Sequence, residues 1–291
     1  VCDPNWVDGI NRMNLTLVSS QHAKTVFEQS TFEQRDQNTQ QVVRQIKLEK
    51  PVEVLFEGAN TNIYQKIDAI NESEVWNILD DIKEDFNFLY VGHWLQGELG
   101  QDRKDVGMLV KTFLETFKGK KNKPALIMKT SGAGSSIMDR DEMLNKINAI
   151  RNSLDSNDLP NVYLLHGDME DRSINDLYNH PKVKAMVSLT KGEGYGRPLL
   201  EFTLSKKPLI TTSFSGHLDF LNSEFTSLIG GQFTPVHPST KNQFLIPESK
   251  WLSPDFGQVG FYLKDVFENY KKYTDKAKRQ AFKSKNEFSW D

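Results

Sequence analysis

Two glutamates, Glu193 and Glu201, flank a glycine-bearing loop in the stretch AMVSLTKGEGYGRPLLEFTL at 185–204. The spacing puts one carboxylate in the loop and the other in the first turns of the helix that follows. The apolar run at 185–189 reads as a short buried strand, and Pro198 suits the first helical position, where a missing N–H costs nothing. Free backbone amides at such a helix start favour phosphate, and a carboxylate is well made to accept from two neighbouring hydroxyls. The combination points to a ligand with both a diphosphate and adjacent hydroxyls, a nucleotide-sugar. Glu201 would then hold ribose hydroxyls. Glu193, nearer the reacting end, would bind a sugar hydroxyl or steady positive charge at an anomeric carbon. The competing reading makes both ordinary surface glutamates.

A departing diphosphate gains charge in the transition state, so such chemistry needs cations. Arg103 and Lys104 stand immediately before a helix and are the first candidates; the alternative is an exposed basic pair. Lys129 and Lys191 follow other strands. His93, His166 and His217 lie near strand ends but show no metal-ligand spacing, and structural or simply polar roles suit them. No Ser-His-Asp order or activated cysteine appears. The SGAGSS segment at 131–136 lacks the Gly-Lys-Ser/Thr ending of a phosphate loop and reads as a strand-to-helix connection.

The elements that must position these residues alternate. Strands are expected at 14–19, 51–56, 88–91, 125–128, 162–165, 185–189, 208–212 and, more weakly, 226–229. Helices are expected at 21–29, at 106–117 on the spacing Val106, Leu109, Val110, Phe113, Leu114 and Phe117, at 138–150, at 174–178 and after Pro198. Residues 31–41 and 230–253 read as loops and 59–68 as a polar crossing. Residues 258–283 read as one long amphipathic helix with Phe261, Tyr262, Val266, Phe267 and Tyr270 on its apolar side. This alternation predicts an α/β fold with a parallel, doubly wound sheet. Ligands should collect beyond the carboxyl ends of its strands, where Gly92, Lys129, His166, Gly167 and residues 191–196 fall.

Composition narrows the classes. The 291 residues carry a formal net charge of −3, with 37% hydrophobic and 26% charged residues, a globular balance that offers no electrostatic footprint for nucleic acid. The lysine-rich stretch 264–285 also holds Asp265, Glu268 and Asp275 and reads as a solvated helix face. One cysteine, Cys2, excludes an intramolecular disulfide and fits a reducing, cytoplasmic setting. No apolar run approaches the ~20 residues that span a bilayer. The start, VCDPNWVDG, lacks both a methionine and a signal-peptide pattern and reads as a processed or truncated beginning. The sequons at Asn14 and Asn71 read as chance matches.

KGEGYGRPLLE resembles the E-x7-E signature of retaining GT-B glycosyltransferases of family 4. YVGH…DRKD resembles that family's donor-phosphate segment, VYLLHGDMED its strand and turn beside the base, and TTSFSGHLDFL its turn after the next strand. The closing FSW is similar to the end of its last helix. The resemblance is strong over 86–222 and weak before residue 60. It implies a GT-B arrangement of two Rossmann-like domains, the second binding the nucleotide-sugar, with no metal and no cofactor beyond a UDP- or GDP-linked donor. Residues 1–60 would be the end of an acceptor-binding domain, and residues 61–291 the donor-binding domain. The rest of the acceptor domain would come from a longer polypeptide or a partner chain. Glu193 and Lys104 would be catalytic. Gly92, His93, Arg103, Lys104, Lys129, Met169, Glu193, Gly194, Tyr195, Gly196 and Glu201 would bind the donor. The implied activity is hexose transfer to a glycan or other hydroxyl acceptor. The alternatives are a nucleotide-sugar-binding or structural module without turnover and a GT-B-like sugar-nucleotide epimerase. Two departures stand out: His93 replaces the usual arginine, and a longer loop, WLQGELGQ, precedes the basic pair.

Overall fold

A computed structural model describes residues 2–68, 73–132, 134–240, 245–246 and 248–290. The Asn71 sequon, Ala133 of the SGAGSS segment, and 241–244 and 247 of the expected 230–253 loop lie outside the described residues. The elements run α1 (Pro4–Ile10), β1 (Thr16–Val18), α2 (Gln21–Gln29), β2 (Phe32–Arg35), β3 (Val42–Ile46), β4 (Val52–Val54), α3 (Glu74–Asp80), β5 (Asn87–Val91), α4 (Val106–Phe117), β6 (Ala125–Lys129) and α5 (Ile137–Asn152). They continue through β7 (Val162–Leu165), α6 (Asp171–Asn179), β8 (Val183–Ser188), α7 (Arg197–Thr203), β9 (Leu209–Thr212), β10 (Ser227–Ile229), β11 (Gly231–Pro235), β12 (Lys250–Pro254), α8 (Phe256–Glu268) and α9 (Tyr270–Glu287).

The expected doubly wound sheet is present: a six-stranded parallel sheet in the order β10-β9-β8-β5-β6-β7. Its strands are apolar on both faces because helices cover both. Phe88 and Tyr90 of β5 enter one core with α4, α5 and α8, while Leu89 between them enters the other with α3, α6 and α7. Strand order reverses between β5 and β8, and a parallel sheet opens a crevice outside the carboxyl ends of its strands at that point. The loops after these two strands are the ones carrying Arg103–Lys104 and Glu193.

Three regions depart from the expectation. The loop expected at 31–41 contains β2, paired antiparallel with β3. Nearly every residue of this hairpin is at least partly exposed, so no apolar alternation announces it. The loop expected at 230–253 contains β11 and β12, also antiparallel, and Leu252 N donates to Lys191 O over 3.2 Å, tying the hairpin to the β8 loop. The single helix expected at 258–283 is two, broken at Asn269 (φ −119°, ψ 35°). Its buried face is Val259, Leu263 and Val266, and Phe261 points to solvent. Helices α1 and α3, capped by Asp3 and preceded by Ser73, were not expected.

Ahead of the sheet, β1 and β4 form a separate parallel pair over which α2 packs. Ser20 caps α2 by accepting from Ala23 N at 3.1 Å, the role its position predicts. This segment docks on the sheet's carboxyl edge: Ser19 Oγ donates to Gly194 O at 3.4 Å and Gln21 N to Asp219 Oδ2 at 2.8 Å. The chain's last residues return to it. Trp290 Nε1 donates to Glu57 O at 2.8 Å, and Ala59 and Ser289 form a parallel bridge. Gly58, at φ +68°, lies in this crossing, and a Cβ there would sit 2.8 Å from the Trp290 ring. Among the described residues no helix is long and apolar enough to cross a membrane.

Candidate nucleotide-sugar site

At the switch point, Glu193 is held between two cations from the β5 loop. Its Oε2 accepts from Arg103 Nη1 at 3.0 Å, and its Oε1 pairs with Lys104 Nζ. Arg103 Nη1 also donates to Gly192 O at 2.5 Å. Burial pushes the Glu193 carboxyl up, but Lys104 and Arg103 outweigh it and hold the group at about 2. The Lys104 ammonium moves the other way, lowered by burial more than Glu193 restores. The cluster therefore holds a permanent carboxylate and a guanidinium with a partly desolvated ammonium, where a diphosphate would compete with Glu193 for both cations.

A second layer fixes these groups. Asp105, at φ +53°, starts α4. Its fully buried carboxyl is pushed up to about 7 by burial, against the pull of Lys191. Lys191 Nζ lies 3.6 Å from Asp105 Oδ1, donates to Gly100 O, and sits 5.1 Å from the centre of the Trp251 ring. Lys191, 1% exposed, ties the two loops to β12 and lines the same cavity as Arg103 and Glu193. Ser215 takes φ +85°, ψ −161°, a conformation that side chains avoid, and its Oγ accepts from Glu193 N at 2.7 Å. Gly216 packs so closely on the Glu193 loop that a Cβ would meet Gly194 O at 2.0 Å. His217, fully buried, engages Thr212 O through Nε2 at 2.7 Å, and burial lowers its imidazole. Asp105, Ser215 and Gly216 were not singled out from sequence. The Gly after Ser in TTSFSGH was the available signal for the last two.

The structure brings Arg103, Lys104, Glu193 and Gly194 together, with Gly196 packed beside Glu193, where a Cβ would stand 3.6 Å from the Glu193 side chain. Gly92, at φ +154°, leaves no room for a Cβ, which would stand 2.8 Å from the Tyr90 hydroxyl. His93 is exposed at the mouth, its Nδ1 3.2 Å from Ser131 Oγ. Lys129 does not face the cluster freely: it donates to Gly167 O at 2.6 Å, and burial lowers its ammonium. Met169 packs against the α6–α7 core. Tyr195, expected at the donor, is 2% exposed, with its ring among those of Phe56 and Phe220. The ring packs in the core, while Gly196 beside it takes φ +97°. Glu201 is buried beneath Arg197, whose Nη2 donates to Glu201 Oε1 at 3.1 Å. Burial raises its carboxyl despite Arg197.

Arg103, Glu193 and Gly194 line a cavity of ≈ 390 Å³ whose other wall includes His22, Phe27 and Phe214. Among the described residues no group of three or more His, Cys, Asp or Glu side chains could hold a metal ion.

No protein-family model and no curated protein sequence matches the chain. Solved structures do. A sucrose-phosphate synthase from Thermosynechococcus elongatus superposes with a TM-score of 0.65 at 12% identity, over 98% of this chain and 57% of that one. HepE of Anabaena, in complex with UDP and glucose, gives 0.61 at 13%, over 98% and 62%. The C-terminal domain of LpcC, a glycosyl transferase group 1 family protein from Francisella tularensis, gives 0.54 at 14%, over 80% of this chain and 100% of that domain. The fold is of GT-B type. The chain spans little more than half the length of the synthase.

Proposed function

We propose that this chain is the donor-binding part of a retaining glycosyltransferase of family 4, moving a hexose from a UDP- or GDP-linked donor to a glycan or other hydroxyl acceptor. The observation that carries this reading is the Arg103–Glu193–Lys104 cluster at the point where strand order reverses. In this reading the diphosphate takes Arg103 and Lys104 from Glu193, and the two cations then offset the charge that grows on the leaving group. Glu193, freed and still ionised, faces the sugar, with the Gly194–Gly196 backbone alongside. Glu201 reaches ribose hydroxyls once Arg197 swings away. Similarity to the UDP complex of HepE supports a UDP-type donor.

A second reading is a nucleotide-sugar-binding module without turnover. It is favoured by the cover of Arg197 over Glu201. Calorimetric titration with UDP and GDP tests the site, and donor consumption with a hydroxyl-acceptor panel tests turnover. Transfer should fall at least 100-fold in Lys104→Met and Glu193→Gln, since one oxyanion-type contact is worth about that much. Nucleotide binding with no turnover selects the module. Absence of nucleotide binding rejects both.

A further inference from the structure

At the amino edge of the sheet, opposite the Glu193 loop, lies a second and larger cavity of ≈ 760 Å³. It is formed by residues 204–207 after α7, residues 61–68 and one face of α9. Five lysines line it, Lys66, Lys206, Lys207, Lys278 and Lys285, against one carboxylate among the described lining residues, Asp68. In a chain of net charge −3 this is a marked local excess of cations.

The lysines are poorly compensated. Lys66 and Lys207 donate to main-chain carbonyls, Ile67 O at 2.5 Å and His180 O at 2.7 Å. Neither Lys206 nor Lys285 has an ion pair among the described residues. Lys278 is the exception, 3.0 Å from Asp275. Burial and its like-charged neighbours Lys66 and Lys184 press the Lys207 ammonium well below the usual lysine value, and Lys66 is lowered by burial with Lys206 adding to it. Lys206, three residues past the end of α7, takes φ +62°, a left-handed conformation that favours glycine. Strain of this kind persists where surrounding structure holds a residue in place. Phe282 lines the cavity, 74% exposed, and the partly buried Tyr270 lines it further along α9. An apolar ring above a group of ammoniums matches a ligand with an organic body and a phosphate.

We propose that this cavity binds a small organic phosphate, with Lys206 and Lys285 as its free cations, Lys66 and Lys207 as its floor and Phe282 covering the organic part. The site is separate from the Glu193 cluster and stands or falls independently of the proposed donor.

Calorimetric titration of the whole chain with glucose 6-phosphate at physiological salt tests it. One saturable site is expected, at least tenfold weaker in Lys206→Glu/Lys285→Glu, because reversing two charges beside a dianion removes attraction and adds repulsion. Both side chains are exposed, and thermal melting verifies that the variant folds; Lys206→Gln/Lys285→Gln gives the same direction with less perturbation. Lys104→Met should leave glucose 6-phosphate binding unchanged, and the double variant should leave UDP binding unchanged. No saturable binding, equal affinity in the double variant, or loss in Lys104→Met would each overturn the proposal. Vesicles of phosphatidic acid in phosphatidylcholine form a further arm: preferential binding there, abolished by the double variant, would reassign the lysines to a lipid surface.

Discussion

Glu193 and Glu201 belong to one loop-and-helix unit and both are withdrawn from water, yet their carboxyls are displaced in opposite directions. Burial raises each. Glu193 meets two cations and settles at about 2. Glu201 meets one, the half-exposed Arg197, with Asp171 opposing it, and stays above the ordinary glutamate value. The number of cations supplied by another loop, rather than burial itself, decides which carboxylate is permanently charged. Here the decision lies with the β5 loop, 89 residues away from Glu193 at Lys104.

Removing a cation should break the contrast most strongly. Lys104→Met leaves Glu193 buried with a half-exposed Arg103, and stability should fall by about 3 kcal/mol, read as a lower urea midpoint at unchanged slope. Acid titration sharpens it. Glu193 has its folded value, about 2, below its ordinary 4.5, so its contribution is complete above the ordinary value and is lost as pH falls through the folded one. That loss, up to about 3 kcal/mol between those limits, should be absent from the stability–pH curve of Glu193→Gln. The smallest effect is expected at the other end of the unit. Glu201 is raised, so its protonated form is the one the fold favours, and stability from it declines as pH rises through its folded value. Glu201→Gln should therefore change stability at neutral pH by less than about 0.5 kcal/mol. A loss as large as that of Lys104→Met would show that the two carboxylates are held alike.

The sheet was legible because a parallel strand covered on both faces must be apolar throughout, as FLYV, ALIM and VYLL are. The α4 face and the Ser20 cap were legible for equally local reasons. The β2–β3 hairpin and β11 were not, because exposed ladders held by main-chain bonds need no apolar alternation, and the buried β12 is a single short strand without a strand-period partner in the sequence. Asn269 is an unremarkable helix residue, so nothing local marks the break between α8 and α9. In the candidate site, types and spacing were enough to single out Glu193, Arg103 and Lys104. The sequence did not show where the Tyr195 side chain goes, since an aromatic residue in a glycine loop reads the same whether its ring faces a ligand or, as here, the core. The Lys191–Asp105 pair joins loops 86 positions apart and leaves no periodic trace, so only the folded chain reveals that Lys191 is a strut.

The crossing at residues 57–59 and 288–290 has a mechanical meaning. Two stretches of backbone, one leaving the β1–β4 segment and one ending the chain, run side by side there and are bonded at Ala59 and Trp290. Ser19 and Gln21 bond the same segment to Gly194 and Asp219, so it is fastened to the rest of the chain at two separate places.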